Sequence, residues 1–340
     1  MLTFKTEDLF LNPNDLELQY RRRNDEEKTG VSYGQRKLLL TVLQFITNYW
    51  DPAQIPNPCI LYIGSSPGNN IEIIAELFPE VEFHLYDPNP FKIKKSEKVH
   101  LYQQYFTDED AHFWKNKNSG NVYFISDIRT ADYTKAKNLD DNERQIMKDM
   151  ENQMKWYNII KPVHAHLKFR LPYTGGNRPA VLSYLDGTLY KQPWAPGTST
   201  ETRLVPNGDG NGITKNWDCM KYQSQLFHHN VIIRETFLYD NLCLDSPELL
   251  NDYDSRCEVE ILTNYLNKRN AFSTENVKKL SRMITKRLSP TLTMEFLRKN
   301  PRYIKDVNFR SREKKETRDN SSEIHHRNKK ESGLAKQLGL

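Results

Sequence analysis

Between residues 33 and 49 the chain sets Leu38, Leu39, Val42, Leu43 and Ile46 at spacings that fall on one side of a helix, which predicts an amphipathic helix with Lys37 in its first turn. The period then changes. Cys59–Ile63 is a short continuous apolar run that stops at Gly64, Asn69–Leu77 returns to helical spacing, and 81–86 alternates apolar and polar before Asp87. Strand, glycine turn, helix, strand, acid is the opening βαβ unit of a nucleotide-binding sheet. A second apolar run at 122–125 is closed by Ser126-Asp127-Ile128-Arg129, a long helix is predicted over 140–160, and a strand containing Lys168 over 163–169. This alternation predicts an α/β fold, a Rossmann-like, mostly parallel sheet flanked by helices, with ligands beyond the carboxyl ends of its strands. Asp127 and Lys168 fall at such ends.

Asp186-Gly187, between apolar stretches at 181–184 and 188–190, predicts a β-hairpin at the sheet edge. A rigid loop, Pro193-Trp194-Ala195-Pro196-Gly197, leads to a strand over 201–205. Helices are predicted over 217–229, 256–266 and 274–288, the last stopped by Ser289-Pro290. With no internal repeat, we expect one domain over residues 1–300, comprising a core at about 33–240 and a helical extension at about 241–300.

Composition changes this picture mainly at one end. A chain of 340 residues with 37% hydrophobic content can bury a substantial core. The net charge of +5 is uneven: residues 301–340 hold 11 Lys/Arg and 6 Asp/Glu, leaving 38 of each sign before them. That tail has few large apolar residues and is expected to be disordered; its excess charge suits RNA phosphates or simple solvation. Cys59, Cys219, Cys243 and Cys257 are scattered without CxxC spacing, which indicates neither a disulfide framework nor a zinc knuckle. No apolar run approaches the ~20 residues of a membrane span. The expectation is a cytoplasmic, reduced protein with no membrane partner. The nine histidines show no ligand spacing with cysteine or acid, so no metal is assigned.

The glycine turn, Leu61-Tyr62-Ile63-Gly64-Ser65-Ser66-Pro67-Gly68, is not the G-x-G-x-x-G of dinucleotide sites and lacks the G-K-[ST] of a P-loop. Gly64 permits a tight turn, and Gly68 allows a ligand to approach the start of the next helix. A turn that takes a carboxylate and an amine in place of a pyrophosphate suits S-adenosylmethionine, whose ribose hydroxyls Asp87 could accept.

Lys37, Asp127, Lys168 and Glu201 supply the chemistry. Methylation of a hydroxyl requires removal of a proton from a very weak acid. A lysine can take it when its amine is neutral, which burial and a neighbouring ammonium both promote. Carboxylates oppose that change, so Asp127 and Glu201 would partly serve to position the amines. Any one of these among 93 charged residues is ordinarily a surface charge; the strand-end placement of Asp127 and Lys168 sets them apart.

Five segments in order, 33–40 (YGQRKLLL), 61–68 (LYIGSSPG), 125–129 (ISDIR), 167–173 (LKFRLPY) and 193–204 (PWAPGTSTETRL), resemble the poxvirus-type cap-specific mRNA 2'-O-methyltransferases. Members of that family also serve as the small, stimulatory subunit of the viral poly(A) polymerase. The chain shares the Lys-Asp-Lys-Glu tetrad of the wider RrmJ-like 2'-O-methyltransferases. The resemblance runs from about residue 20 to about residue 230. It implies S-adenosyl-L-methionine as cofactor, Lys168 as general base, and Lys37, Asp127 and Glu201 as the rest of the tetrad. Gln35, Tyr62, Gly64, Gly68, Asp87 and Arg129 fall on cofactor-contact positions, and Phe106 on one that lines the adenine. Asn70 and Asn89 stand where a histidine and an arginine are expected, so contacts to the methionine and sugar ends should differ.

The implied partners are capped mRNA and a poly(A) polymerase catalytic subunit, and the implied location is a viral factory or virion. A 7-methylguanine is cationic, so two aromatic faces and a carboxylate on its NH edge would select it. The resemblance places Tyr20 and Tyr173 as those faces and Asp218 as that carboxylate. Two departures weaken the cap positions: Gly175 replaces a second acid and Thr198 an aromatic. Arg21, Arg22 and Arg23 could neutralise a triphosphate bridge, or form a solvated basic face. A 2'-O-methyltransferase for uncapped RNA and a non-catalytic processivity subunit of a poly(A) polymerase are the alternative readings.

Overall fold

The computed structural model describes residues 2–23, 33–132, 134–208, 210, 212–240 and 251–288. Ser289-Pro290, Cys243 and the basic tail therefore lie outside the described residues.

The chain opens with a 3-10 turn at Thr6–Leu9 and helix α1, Gly34–Tyr49. Then come β1 (Cys59–Ile63), α2 (Asn69–Leu77), β2 (Glu82–Tyr86), β3 (Val99–Tyr102), α3 (Asp108–Lys117), β4 (Val122–Ser126), α4 (Leu139–Ile160) and β5 (His164–Phe169). Strands β6 (Val181–Leu185), β7 (Gly187–Tyr190), β8 (Thr202–Pro206) and β9 (Thr214–Asp218) follow. Helix α5 (Cys219–His228) runs through a π-helical stretch, His229–Ile233, into the single turn α6 (Arg234–Thr236). The last described helices are α7 (Tyr253–Lys268) and α8 (Thr274–Leu288).

Seven strands form one sheet in the order β3-β2-β1-β4-β5-β8-β7. The first five are parallel, β8 runs antiparallel to β5, and β7 antiparallel to β8. The α/β expectation of a Rossmann-like, mostly parallel sheet holds. Strands β1 and β4 are buried throughout, as a sheet covered on both faces requires. One face packs against α1, α2, α7 and α8 and the other against α3, α4 and α5. The pleat of β2 shows the division: Phe83 and Leu85 enter the first core, Tyr86 the second.

Two sequence expectations fail. Asp186-Gly187 is not a hairpin turn, because the strands on either side separate into different sheets: β6 pairs with β9 and β7 with β8. Gly187 is required for another reason. A Cβ there would lie 2.2 Å from the Val205 carbonyl oxygen, so the glycine permits close passage of backbone. The helix expected from residue 217 begins at Cys219, and Trp217 and Asp218 belong to β9. Strand β3, helix α3 and strand β9 were not anticipated.

The helices after β9 are joined to α1 by a buried polar network. Arg36 Nε and Nη2 donate to the two oxygens of Glu258 on α7, at 2.7 and 2.5 Å, and Trp194 Nε1 donates to Oε2 of the same carboxylate at 2.8 Å. Asp254, one turn earlier on α7, accepts from the backbone NH of Trp194 and is paired with Arg234. Among the described residues Cys59, Cys219 and Cys257 are buried free thiols, and no helix is long and apolar enough to cross a membrane.

Candidate active site

The four tetrad residues reach one place from four elements. Lys37 comes from the first turn of α1, Asp127 from the position after β4, Lys168 from the end of β5, and Glu201 from the residue before β8. The backbone NH of Asp127 donates to Ile63 O, continuing the β1–β4 ladder one residue beyond the strand. Glu201 is the hub. Lys37 Nζ donates to its Oε1 at 2.9 Å, and Lys168 Nζ lies 3.2 Å from its Oε2. Lys168 Nζ also donates to Asp127 Oδ1 at 3.0 Å. The four residues are thus brought together at hydrogen-bond distance.

Two residues that sequence reasoning missed complete the cluster. Arg203 on β8, 1% exposed, donates from Nη2 to Asp127 Oδ1 at 2.6 Å and from Nε to Gln192 Oε1 at 3.0 Å. Gln192 in turn donates to the Glu201 carbonyl at 3.0 Å. A charged residue inside the otherwise uncharged T-R-L-V-P strand was the available signal, since a buried arginine needs a partner. Arg129 lies at the rim, 3.6 Å from Glu201 Oε2 and 3.9 Å from Asp149 Oδ2.

Two carboxylates thus face two lysines and two guanidiniums, an excess of positive charge if every group is ionised. The excess acts in both directions. Burial would raise the Asp127 pKa, but Arg203 and then Lys168 overcome it and hold the carboxyl at about 2. Glu201 is likewise held well below the ordinary carboxylate range, against its burial, by Lys168, Lys37, Arg203 and Arg129. Lys37 moves the other way: burial lowers its pKa, Glu201 opposes, and Arg203 and Lys168 add to the lowering. His166 faces the same side of β5 as Lys168, stacked on Phe45 with centroids 5.1 Å apart. Burial and then Arg203 keep it well below its ordinary pKa, so it adds no charge.

The glycine turn lies beside this cluster. Gly64 has φ +78°, and a Cβ on it would meet the Asp127 backbone at 2.8 Å. Gly68 caps α2, and a Cβ there would lie 2.5 Å from Ile93. The contacts that exclude a side chain at both glycines are thus the protein's own. Asp87 is already engaged: Oδ2 accepts from Ser66 N at 3.0 Å and Oδ1 from Asn89 N and Nδ2 at 2.8 and 2.9 Å. Asn89 thereby buttresses the carboxylate whose remaining lone pairs could meet a ribose. Phe106 is buried edge-on against Tyr86 and Trp156, beyond the end of β3.

Buried polar atoms without partners test whether the site fits S-adenosylmethionine. Gln35 Oε1, in the first turn of α1, has none. Asn70 Nδ2, in the first turn of α2 near the Tyr62 hydroxyl, has none in hydrogen-bond geometry. One is an acceptor and the other a donor, on helices that pack together. An ammonium and a carboxylate on one ligand would satisfy both. Tyr62 is itself buried, and burial, then the charge of Asp127, raise its phenol pKa.

The three residues that the resemblance places at the cap are arranged differently. Tyr20 and Tyr173 lie together, but their rings touch each other, with centroids 5.2 Å apart and planes 32° from parallel. Tyr20 also packs edge-on against Phe227 of α5. Asp218 is exposed and caps α5 by accepting from Lys221 N at 2.9 Å. Gln223 on the same helix accepts from Thr174 N, so α5 flanks the loop that carries Tyr173.

Comparison with known proteins gives concordant results. The profile of the poly A polymerase regulatory subunit family matches residues 5–292. A myxoma virus (strain Lausanne) protein named cap-specific mRNA (nucleoside-2'-O-)-methyltransferase is 25% identical over 248 residues, 68% of this chain and 70% of its own length. A fowlpox virus (strain NVSL) protein of the same name is 26% identical over 266 residues, 72% of this chain and 81% of its own.

Proposed function

Because the chain belongs to the poly(A) polymerase regulatory subunit family, we propose that it methylates the ribose 2'-hydroxyl of the first transcribed nucleotide of capped mRNA, using S-adenosyl-L-methionine. In the same reading it partners the catalytic subunit of a poly(A) polymerase. The observation that carries the proposal is the continuous Lys37–Glu201–Lys168–Asp127 chain of contacts. A purely scaffolding subunit would have no reason to concentrate these charges at the carboxyl ends of the central strands.

Bound S-adenosylmethionine supplies an electrophilic methyl group on its sulfonium. Gln35, Asn70 and Tyr62 would hold its methionine end, Asp87 its ribose and Phe106 its adenine, with Gly64 and Gly68 shaping the turn and Arg129 closing the rim. Lys168, as a neutral amine, accepts the proton of the 2'-hydroxyl as the oxygen becomes nucleophilic. Asp127 and Glu201 fix its Nζ from two directions. Burial, then Arg203 and Lys168, lower the pKa of the neighbouring Lys37 against the pull of Glu201. Tyr20, Tyr173 and Asp218 would read the cap.

A second reading, methylation of uncapped RNA, draws support from the Tyr20–Tyr173 contact. Bases stack about 3.4 Å apart, so an intercalated base needs roughly 7 Å between flanking rings, more than their present separation.

The test is transfer of labelled methyl groups to a short RNA bearing a 7-methylguanosine cap, an unmethylated cap or no cap. The proposal expects labelling of the first alone, and a drop of about 10²- to 10⁴-fold in Lys168→Ala, the range of a lost general base. Equal labelling of all three would exclude cap specificity. RNA binding without labelling would leave the non-catalytic reading.

A further inference from the structure

A second cluster lies at the other end of β2, away from the methyl-transfer site. Glu82 and His84 project from the same face of β2, two residues apart, and His100 stands opposite His84 in the parallel register with the edge strand β3. One carboxylate oxygen, Glu82 Oε1, lies 3.0 Å from His84 Nε2 and 2.8 Å from His100 Nε2. The two imidazoles are stacked, with centroids 4.5 Å apart.

Hydrogen bonding does not account for all of this. His84 Nε2 lies within hydrogen-bonding distance of Glu82 Oε1 at 3.0 Å and Nδ1 3.1 Å from the Tyr102 hydroxyl; in the tautomer whose Nδ1 donates to that hydroxyl, the Nε2 lone pair is available to a cation. That is how a partner behind a metal-binding histidine selects the ring's tautomer. His100 Nε2 is close to Glu82 but outside hydrogen-bond geometry, and it is shielded from solvent with no partner. Two ring nitrogens and a carboxylate oxygen thus lie within 4.8 Å of one another. Tetrahedral bonds of about 2.0–2.2 Å place donor atoms about 3.3 Å apart, so Glu82 Oε1 would need to draw back from each ring nitrogen by only a few tenths of an ångström.

We propose that Glu82, His84 and His100 form a binding site for a divalent transition-metal cation of the zinc class, joining the edge strand β3 to β2. Imidazole donors favour such a cation over magnesium or calcium, which take oxygen ligands. Three protein ligands leave at least one position for water. The site lies at the amino end of β2, whereas Asp87 follows its carboxyl end, so it is separate from the methyl-transfer cluster. The sequence expectation of no metal rested on histidine and cysteine spacing; the ligands here are paired by strand register, which spacing does not reveal.

The experiment is isothermal titration of the metal-stripped full chain with Zn²⁺ and, separately, Mg²⁺, for wild type, His100→Ala and His84→Ala. Binding elsewhere, for example at His325-His326, is common to all three proteins. The proposal expects wild type to bind one equivalent of Zn²⁺ more than either variant, and Mg²⁺ to bind none of them at this site. It also expects saturating Zn²⁺ to raise the melting temperature of wild type but not of His100→Ala, because only a cation bound to the folded state stabilises it. The His100 side chain is 38% exposed on an edge strand, so His100→Ala remains a folded control if His84→Ala does not. Equal Zn²⁺ stoichiometry in wild type and His100→Ala, or no Zn²⁺ binding to wild type, would overturn the proposal.

Discussion

The tetrad and the proposed cap positions lie in the same molecule but differ in readiness. Around Glu201, acids and bases are buried, cross-linked and aligned. At Tyr20 and Tyr173 the rings fill the space that a base would occupy, and Asp218 serves its own helix. The first region is organised by folding itself, because buried charges must find partners for the chain to fold. Exposed or half-buried aromatics carry no such obligation and collapse on each other when nothing lies between them. Preorganisation thus belongs to the tetrad, while Tyr20 and Tyr173 have to part before a base could lie between them.

The largest way to break this contrast is to unbalance the cluster. Arg203→Met should destabilise the protein by about 3–5 kcal/mol in urea unfolding, the usual cost of removing one partner from a buried ion pair. A loss below about 1 kcal/mol would mean that the cluster is far more solvated than its burial indicates.

Next is the acid limb. The Asp127 pKa is lower when folded than when unfolded, so the unfolded chain binds the extra proton, and the contribution is present above pH ~4 and lost as pH falls toward about 2. For a shift of this size the loss is roughly 2 kcal/mol. Urea unfolding between pH 5 and 2 should show it, and Asp127→Asn should flatten that limb.

At the cap end the effects should appear in binding. Tyr20→Ala removes a stacking face worth about 1–3 kcal/mol per base, so the KM for capped RNA should rise about 5- to 150-fold at nearly constant kcat. An unchanged KM would remove Tyr20 from the cap reading. The smallest effect separates the two duties of Asp218. Asparagine caps helices as well as aspartate, so Asp218→Asn should change stability by less than about 0.5 kcal/mol. If the carboxylate reads the guanine edge, the KM for capped RNA should still rise.

Legibility in the sequence followed the same division. β1 and α2 appear where the apolar pattern placed them, because full burial leaves a continuous run and helical burial a 3.6-residue period. Strand β9 is mostly exposed, so nothing in T-K-N-W-D alternates. Helix α3 buries only Ala111 and Trp114, and its signal was local: Thr107 and Asp110 form a capping box. Asp127 and Lys168 could be singled out from residue type and strand ends, whereas Lys37 and Glu201 came with the family resemblance. Arg203 and Gln192 could not be assigned, since their roles depend on β8 lying next to β5, an adjacency made by chain reversal.

Arg36 lies between Gln35 and Lys37 in the sequence, yet it points away from the site and into Glu258. Helix α1 is thus clamped from behind by a residue 222 positions later in the chain. Anyone trimming this protein to a minimal catalytic core would be tempted to stop before α7, because every tetrad member precedes it. Such a cut would remove the anchor that fixes the rotation of α1 about its own axis, and with it the direction in which Lys37 is aimed.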